Sequence, residues 1–178
     1  FGENSISFGG VVVLEVVAEP EVPVDEYTHI KTAEEWYTLI TLNPAGKYKL
    51  DNDIDLAGGW LVKDGAPYAT ETFTGILDGN GYTVKNAWLS GGWNNGLFRY
   101  QAGTVKNIAF INMHSTNVVF ETALFAFNSG TIENVYLDMI IYPATQQGGS
   151  GAGTLVGGAE ANCLIKNCVV NVRKSAAD

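Results

Sequence analysis

Apolar and polar residues alternate along this chain in short bursts, and four of the bursts are spelled alike: Val84-Lys85-Asn86, Val105-Lys106-Asn107, Ile132-Glu133-Asn134 and Ile165-Lys166-Asn167. Three residues after each Asn comes a second apolar residue, Leu89, Phe110, Leu137 or Val170. A period of two predicts strands. The Asn between them predicts a tight corner, because Asn enters the left-handed backbone region more readily than other non-Gly residues. These Asn residues recur at intervals of 21, 27 and 33 residues, the mark of a stacked repeat. A second strand recurs between them, at Gly96-Leu97-Phe98, Ala123-Leu124-Phe125 and Thr154-Leu155-Val156. Each rung therefore has at least two strands, and its length grows in the stretches 115–121 and 143–151.

Rungs recurring in one direction stack parallel, and the other sides of the coil supply the long return that parallel strands need. The expectation is an all-β fold, a parallel β-helix or solenoid. Val84, Val105, Ile132 and Ile165 then form one core column, and Leu89, Phe110, Leu137 and Val170 another. Lys85, Lys106, Glu133 and Lys166 face water, since a slip of one residue would bury all four charges. Asn86, Asn107, Asn134 and Asn167 are expected to stack as a structural ladder, their amides bonding along it.

A solenoid needs a cap over its first rung. Thr32-Ala33-Glu34-Glu35 reads as a capping box, and Ala33, Trp36, Tyr37 and Ile40 follow at the spacing of an amphipathic helix over about 32–42. Asn43-Pro44-Ala45-Gly46 stops it. Residues 48–56 alternate as one regular strand, and Asp78-Gly79-Asn80-Gly81 reads as a turn. Residues 1–24 stand apart as an apolar strand followed by a Pro-spaced connector, leaving 25–178 as the β-helix domain. The strand, residues 6–18, has three readings: a remnant of a preceding domain, packing along its own body, or addition to the sheet edge of a neighbouring subunit in a homo-oligomer. A chain starting at Phe1 with no initiator Met is expected to be processed or a segment of a longer protein.

Composition narrows the partners. The 178 residues carry ten Lys and Arg against nineteen Asp and Glu, a net charge of −9. That balance lacks the basic footprint of a nucleic-acid binder, and an anionic membrane would repel it. No apolar run is long enough for a transmembrane helix. Cys163 and Cys168 lie five apart on one extended segment and point to opposite faces, so a mutual disulfide is not expected, and Cys168 reads as a small core hydrophobe.

Candidate chemistry is sparse. Asp51, Asp53 and Asp55 would share one face of a strand, and carboxylates suit Ca²⁺, although alternate residues stand about 7 Å apart and an ion wants six to eight oxygens. A solvated acidic face explains them equally, and no other cofactor is implied. For glycoside hydrolysis, Asp78, Glu121, Glu133, Asp138 and Glu160 are available, yet none forms a paired motif. His29 and His114 are far apart in sequence. Outward-facing Trp88 and Tyr136, with Trp93 in a loop, are the candidate contacts for a glycan or protein surface.

Taken together, Leu50 to Leu56, Phe73 to Asn86, and the Gly-Leu-Phe and Gly-Thr-Ile-Glu-Asn units resemble the GLUG-type, pectate-lyase-like β-helix of bacterial surface proteins and adhesins over roughly residues 28–172. The resemblance implies a right-handed coil. Ala123 and Thr154 depart from its leading Gly, and Cys163 stands where Gly103 and Gly130 have their counterparts. The function expected is a non-enzymatic, extracellular or cell-surface module of a larger assembly. The alternatives are a phage virion fibre or capsid-decorating protein, and a polysaccharide-active enzyme.

Overall fold

A computed structural model describes residues 25–63, 66–67, 72–90, 96–116, 123–142 and 153–175. Residues 6–18 and Trp93 lie outside them. The described chain is mostly β, and it passes repeatedly between two sheets. The larger sheet is a parallel ladder built in chain order. Strand β1 (Thr28–Ile30) pairs with β2 (Lys47–Leu50), β2 with β7 (Ile76–Asp78), β7 with β11 (Thr104–Thr116), and β11 with β13 (Thr131–Ile141). Beyond β13 come β15 (Leu164–Lys166) and β16 (Val169–Lys174). Shorter strands β3 (Ile54–Asp55) and β8 (Thr83–Lys85), then β4 (Trp60–Lys63) and β9 (Trp88–Ser90), extend the ladder sideways. Strand β5 (Ala66–Pro67) makes an antiparallel pair with β4. The smaller sheet stacks β6 (Thr72–Phe73), β10 (Phe98–Gln101), β12 (Phe125–Asn128) and β14 (Val156–Ala159), all parallel.

The core lies between the sheets. Tyr48, Leu77, Val105 and Ile132 are successive partners in one column, and Ile54, Val84, Phe110 and Leu137 in another; all are buried. From the smaller sheet, Phe73 stacks on Phe98 at 4.2 Å and Phe125 meets Phe110 edge-on at 6.4 Å. Helix α1 (Ala33–Leu42) sends Trp36 into the same core, edge-on to Phe110. Its start is held reciprocally: the Glu35 amide donates to Thr32 Oγ1 at 3.2 Å, and the Thr32 amide donates to Glu35 Oε2 at 3.1 Å.

Stacking puts Lys49, Asp78, Lys106, Glu133 and Lys166 side by side, a column of alternating charge on the outside. Each neighbour in it is the opposite sign, so the pairs favour this register over a slipped one. Where the chain enters the larger sheet, Gly46, Gly75, Gly103 and Gly130 form a second column. The amides of Ile76, Thr104, Thr131 and Leu164 donate to these four carbonyls at 2.9–3.0 Å. A Cβ on Gly75, Gly103 or Gly130 would collide with the carbonyl of the glycine below. Cys163 takes the next position, where Asn128 Nδ2 donates to its sulfur at 2.9 Å; both cysteines are free.

Two expectations need correction. Residues 48–56 are not one strand, because Asp51 and Asn52 form a bend between β2 and β3. The bend is where the chain turns a corner of the rung, and Asp, Asn, Asp supply the local backbone bonding a corner needs. The second correction concerns the ladder of four Asn residues. All four have positive φ, from 52° to 61°. Asn86, however, stands beside Asn112 rather than Asn107, and Val84 pairs with Phe110 rather than Val105. Strand β11 is 13 residues long and passes two corners of the preceding rung, one at Asn80 and one at Asn86. Two locally identical units thus sit at different corners.

Candidate functional site

Each corner carries its own polar ladder, and each ladder begins on an aspartate. Asn107 Nδ2 donates to Asp78 Oδ1 at 3.1 Å, and Asn134 Nδ2 to Asn107 Oδ1 at 2.9 Å. At the other corner, Asn86 Nδ2 donates to Asp55 Oδ1 at 2.8 Å and Asn112 Nδ2 to Asn86 Oδ1 at 2.7 Å. The left-handed backbone at each Asn aims its amide along the stack, so corner geometry and ladder have one cause. In the next rung β13 omits the residue that bulges at Asn112, and Asp138 instead receives Asn171 Nδ2 at 2.7 Å and Arg173 at 2.6 Å.

Alongside the Asp55–Asn86–Asn112 ladder runs a row of rings. Trp88 on β9 and His114 on β11 are register partners, stacked at 4.4 Å with planes 18° apart. Tyr142, just past β13, lies 5.4 Å from Trp88 and 5.8 Å from His114, and its hydroxyl is 3.1 Å from His114 Nδ1. Between rings and amides is an open recess of about 310 Å³, lined by Asp55, Ala57, Gly58, Asn86, Trp88, Asn112 and His114. This is the small end of ligand-site volumes.

The titratable groups of the recess have opposite settings. Burial holds the His114 pKa below its ordinary value, and Arg173 adds to this, so the ring is neutral near pH 7. Asp55 is held below the usual carboxylate range by the hydrogen bond from Asn86, then by the Ala57 amide and Lys85. The wall is therefore an aromatic plate with a neutral imidazole, facing an ionised carboxylate and two amides. Asn112 Oδ1 accepts no hydrogen bond from the described residues.

Of the residues singled out from the sequence, Trp88, Asp55 and Asn86 meet in this recess, Tyr136, Asp51 and Asp53 do not, and Trp93 lies outside the described residues. Tyr136 is 37% exposed but occupies a different column, between Ala109 and Val169. The three aspartates have separate partners. Asp51 pairs with His29 at 2.7 Å, Asp53 accepts from the Thr83 amide at 2.9 Å, and Asp55 joins its Asn ladder. Among the described residues, no group of three or more His, Cys, Asp or Glu gathers to hold a metal ion. Asp78 is tied to Lys106 and Asn107, Glu133 to Lys166, and Asp138 to Arg173; Glu121 lies outside the described residues. His114, Tyr142 and Asn112 were not legible as a site. The available signal was spacing, since Trp88 to His114 and Asn86 to Asn112 both span 26 residues, close to the 27 from Asn107 to Asn134.

Compared with family models, with curated proteins and with solved structures, the chain matches none.

Proposed function

We propose that the two parallel sheets are walls of one closed, right-handed β-helical coil of the GLUG-type, pectate-lyase-like class, and that this coil is a non-enzymatic extracellular binding module of a larger surface assembly. Closure is supported by the chain's alternation between the sheets, and handedness by the strong preference of parallel crossovers for the right hand. The ligand is a glycan. The observation that carries this is the Trp88–His114–Tyr142 stack beside the Asp55–Asn86–Asn112 ladder. A flat apolar plate suits the C–H face of a sugar ring, and amides with a carboxylate beside it suit the hydroxyls at the rim.

Hydrolysis fits less well. It needs two carboxyl groups across the bond, one protonated as the acid. Asp55 is the single carboxylate lining the recess, is held ionised, and is already engaged by Asn86, the Ala57 amide and Lys85. Binding and turnover should be measured together on a panel of soluble polysaccharides. The expected result is binding without release of reducing ends, lowered at least about tenfold in Trp88→Ala, in line with an aromatic anchor, and unchanged in Tyr136→Ala. Equal binding by Trp88→Ala, or product release abolished in Asp55→Asn, overturns the reading.

A further inference from the structure

The two ends of the ladder differ. At the far end, β15 and β16 pair with β13 on one side and have no described partner on the other, and β14 likewise pairs only with β12. Both core columns run on into this rung, but their residues are uncovered there. Ile165 is 43% and Val170 39% exposed, whereas their partners Ile132 and Leu137 are fully buried. Leu164, Val169 and Val172 are exposed beside them. The rung thus offers an apolar surface together with a strand edge that has no partner among the described residues, the combination that recruits a further strand.

Charge identifies the occupant. The outer column alternates Lys49, Asp78, Lys106, Glu133, Lys166 and ends on a lysine. Continued alternation calls for a strand whose outward residue is acidic and whose flanks are apolar. Residues 6–18 have that pattern: Val11-Val12-Val13-Leu14 and Val16-Val17 flank Glu15, the single charge of the segment. The whole stretch 1–24 has four Glu and no Lys or Arg, while residues 161–175 have Lys166, Arg173 and Lys174 and no acid. Lys166 and Arg173 already pair with Glu133 and Asp138, yet their side chains remain 47% and 53% exposed.

We propose that residues 6–18 of a second copy add in parallel along the open edge of the end rung with Glu15 opposite Lys166, which sets residues 6–8 against β14 and 13–15 against β15, so that copies join head to tail. A copy's own segment is poorly placed for this. The described chain starts beside β1, five ladder steps or about 24 Å from β16. Residues 18–25, with Pro20 and Pro23, reach only about 22 Å in the extended proline-rich conformation. The end rung is also unsuited to meeting its own kind, since that would oppose Lys166, Arg173 and Lys174 to themselves. Donor and acceptor surfaces are different, so the contact is heterologous and builds an open filament. The inference rests on the parallel stacking and not on the glycan recess, and its test is blind to ligand.

Sedimentation velocity on the full chain tests it. The wild type should form concentration-dependent multiples of the monomer mass. Deletion of residues 1–19 and Ile165→Lys should each abolish association, the first removing the donor and the second charging the acceptor. Far-UV circular dichroism and unchanged hydrogen-exchange protection in β7 and β11 check that each variant is folded. Mixed together, the two monomeric variants should form a 1:1 heterodimer, because one retains the acceptor and the other the donor. Glu15→Lys, which juxtaposes like charges, should weaken association by about tenfold or more. Three outcomes overturn the proposal: a wild type that is monomeric up to about 1 mM, the limit of weak binding; association that survives the deletion; and mixed variants that stay apart. A monomer in which deletion of 1–19 exposes β15 amides to exchange means that the segment folds back on its own chain.

Discussion

Replacing Gly103 with Ala tests whether the larger sheet is held by close backbone contact. An added Cβ would lie 2.7 Å from the Thr74 carbonyl carbon and 2.9 Å from the Gly75 nitrogen, with the Gly75 carbonyl oxygen closer still. All three neighbours are main-chain atoms, so no rotamer change relieves the clash. Carbon atoms pack at about 3.5 Å or more, so the rungs must part locally by about 0.8 Å. The bond from the Thr104 amide to Gly75 O, 2.9 Å long, would then stretch to roughly 3.7 Å, beyond hydrogen-bonding range. The Ala102 and Gly103 amides, both donating to Phe73 O, are strained as well. Losing one or two bonds at about 1 kcal/mol each, with about 1–2 kcal/mol of residual overpacking, gives a cost of about 3 kcal/mol. In urea, with a slope of about 2 kcal/mol per molar, the midpoint should fall by roughly 1.5 M. Ala102→Ser, at the exposed neighbouring position, should leave it within about 0.25 M, the size of an ordinary surface change. A Gly103→Ala midpoint equal to that of Ala102→Ser would refute the close packing of these rungs.

Two further tests address the corners and the histidines. Asn107→Ala should cost about 2 kcal/mol, combining the left-handed backbone penalty with the lost bond to Asp78, whereas Asn107→Gly should recover the backbone part; equal losses in urea midpoint would show that φ is not the cause. The histidines should give opposite pH signatures. The hydrogen bond to Asp51, with help from Asp25, raises the His29 pKa, so its contribution is full below the unfolded value of about 6.5 and fades as pH rises through the folded value. Burial lowers that of His114, so its contribution is full above about 6.5 and is lost as pH falls through the folded value. Melting temperatures from about pH 5 to 8 should lose their alkaline decline in His29→Gln and their acid decline in His114→Gln; unchanged slopes in either variant would count against that assignment.

Local features of the chain were legible because their causes are local. Alternation of apolar and polar residues marks strands wherever one face is buried, and the capping box at Thr32 and Glu35 is a matter of four consecutive residues. The left-handed Asn corners follow from a side-chain preference, and Asn86, Asn107, Asn134 and Asn167 all adopt that backbone. Parallel stacking followed from the recurrence itself.

Which corner stands over which was decided only in three dimensions. Val84-Lys85-Asn86 and Val105-Lys106-Asn107 look equivalent in sequence, yet one sits beside Asp55 and Asn112 and the other beside Asp78 and Asn134. Their interval of 21 residues is short against the 26 and 27 of true neighbours, because Asn86 stands at the second of two corners and Asn107 at the first, beside the Asn80 corner of the preceding rung. The same cause separates Trp88 from Tyr136 and brings Trp88 to His114 instead. A strand's own residues set its two faces. Its neighbours in the stack are set by the length of the path around the rung, which no local pattern encodes.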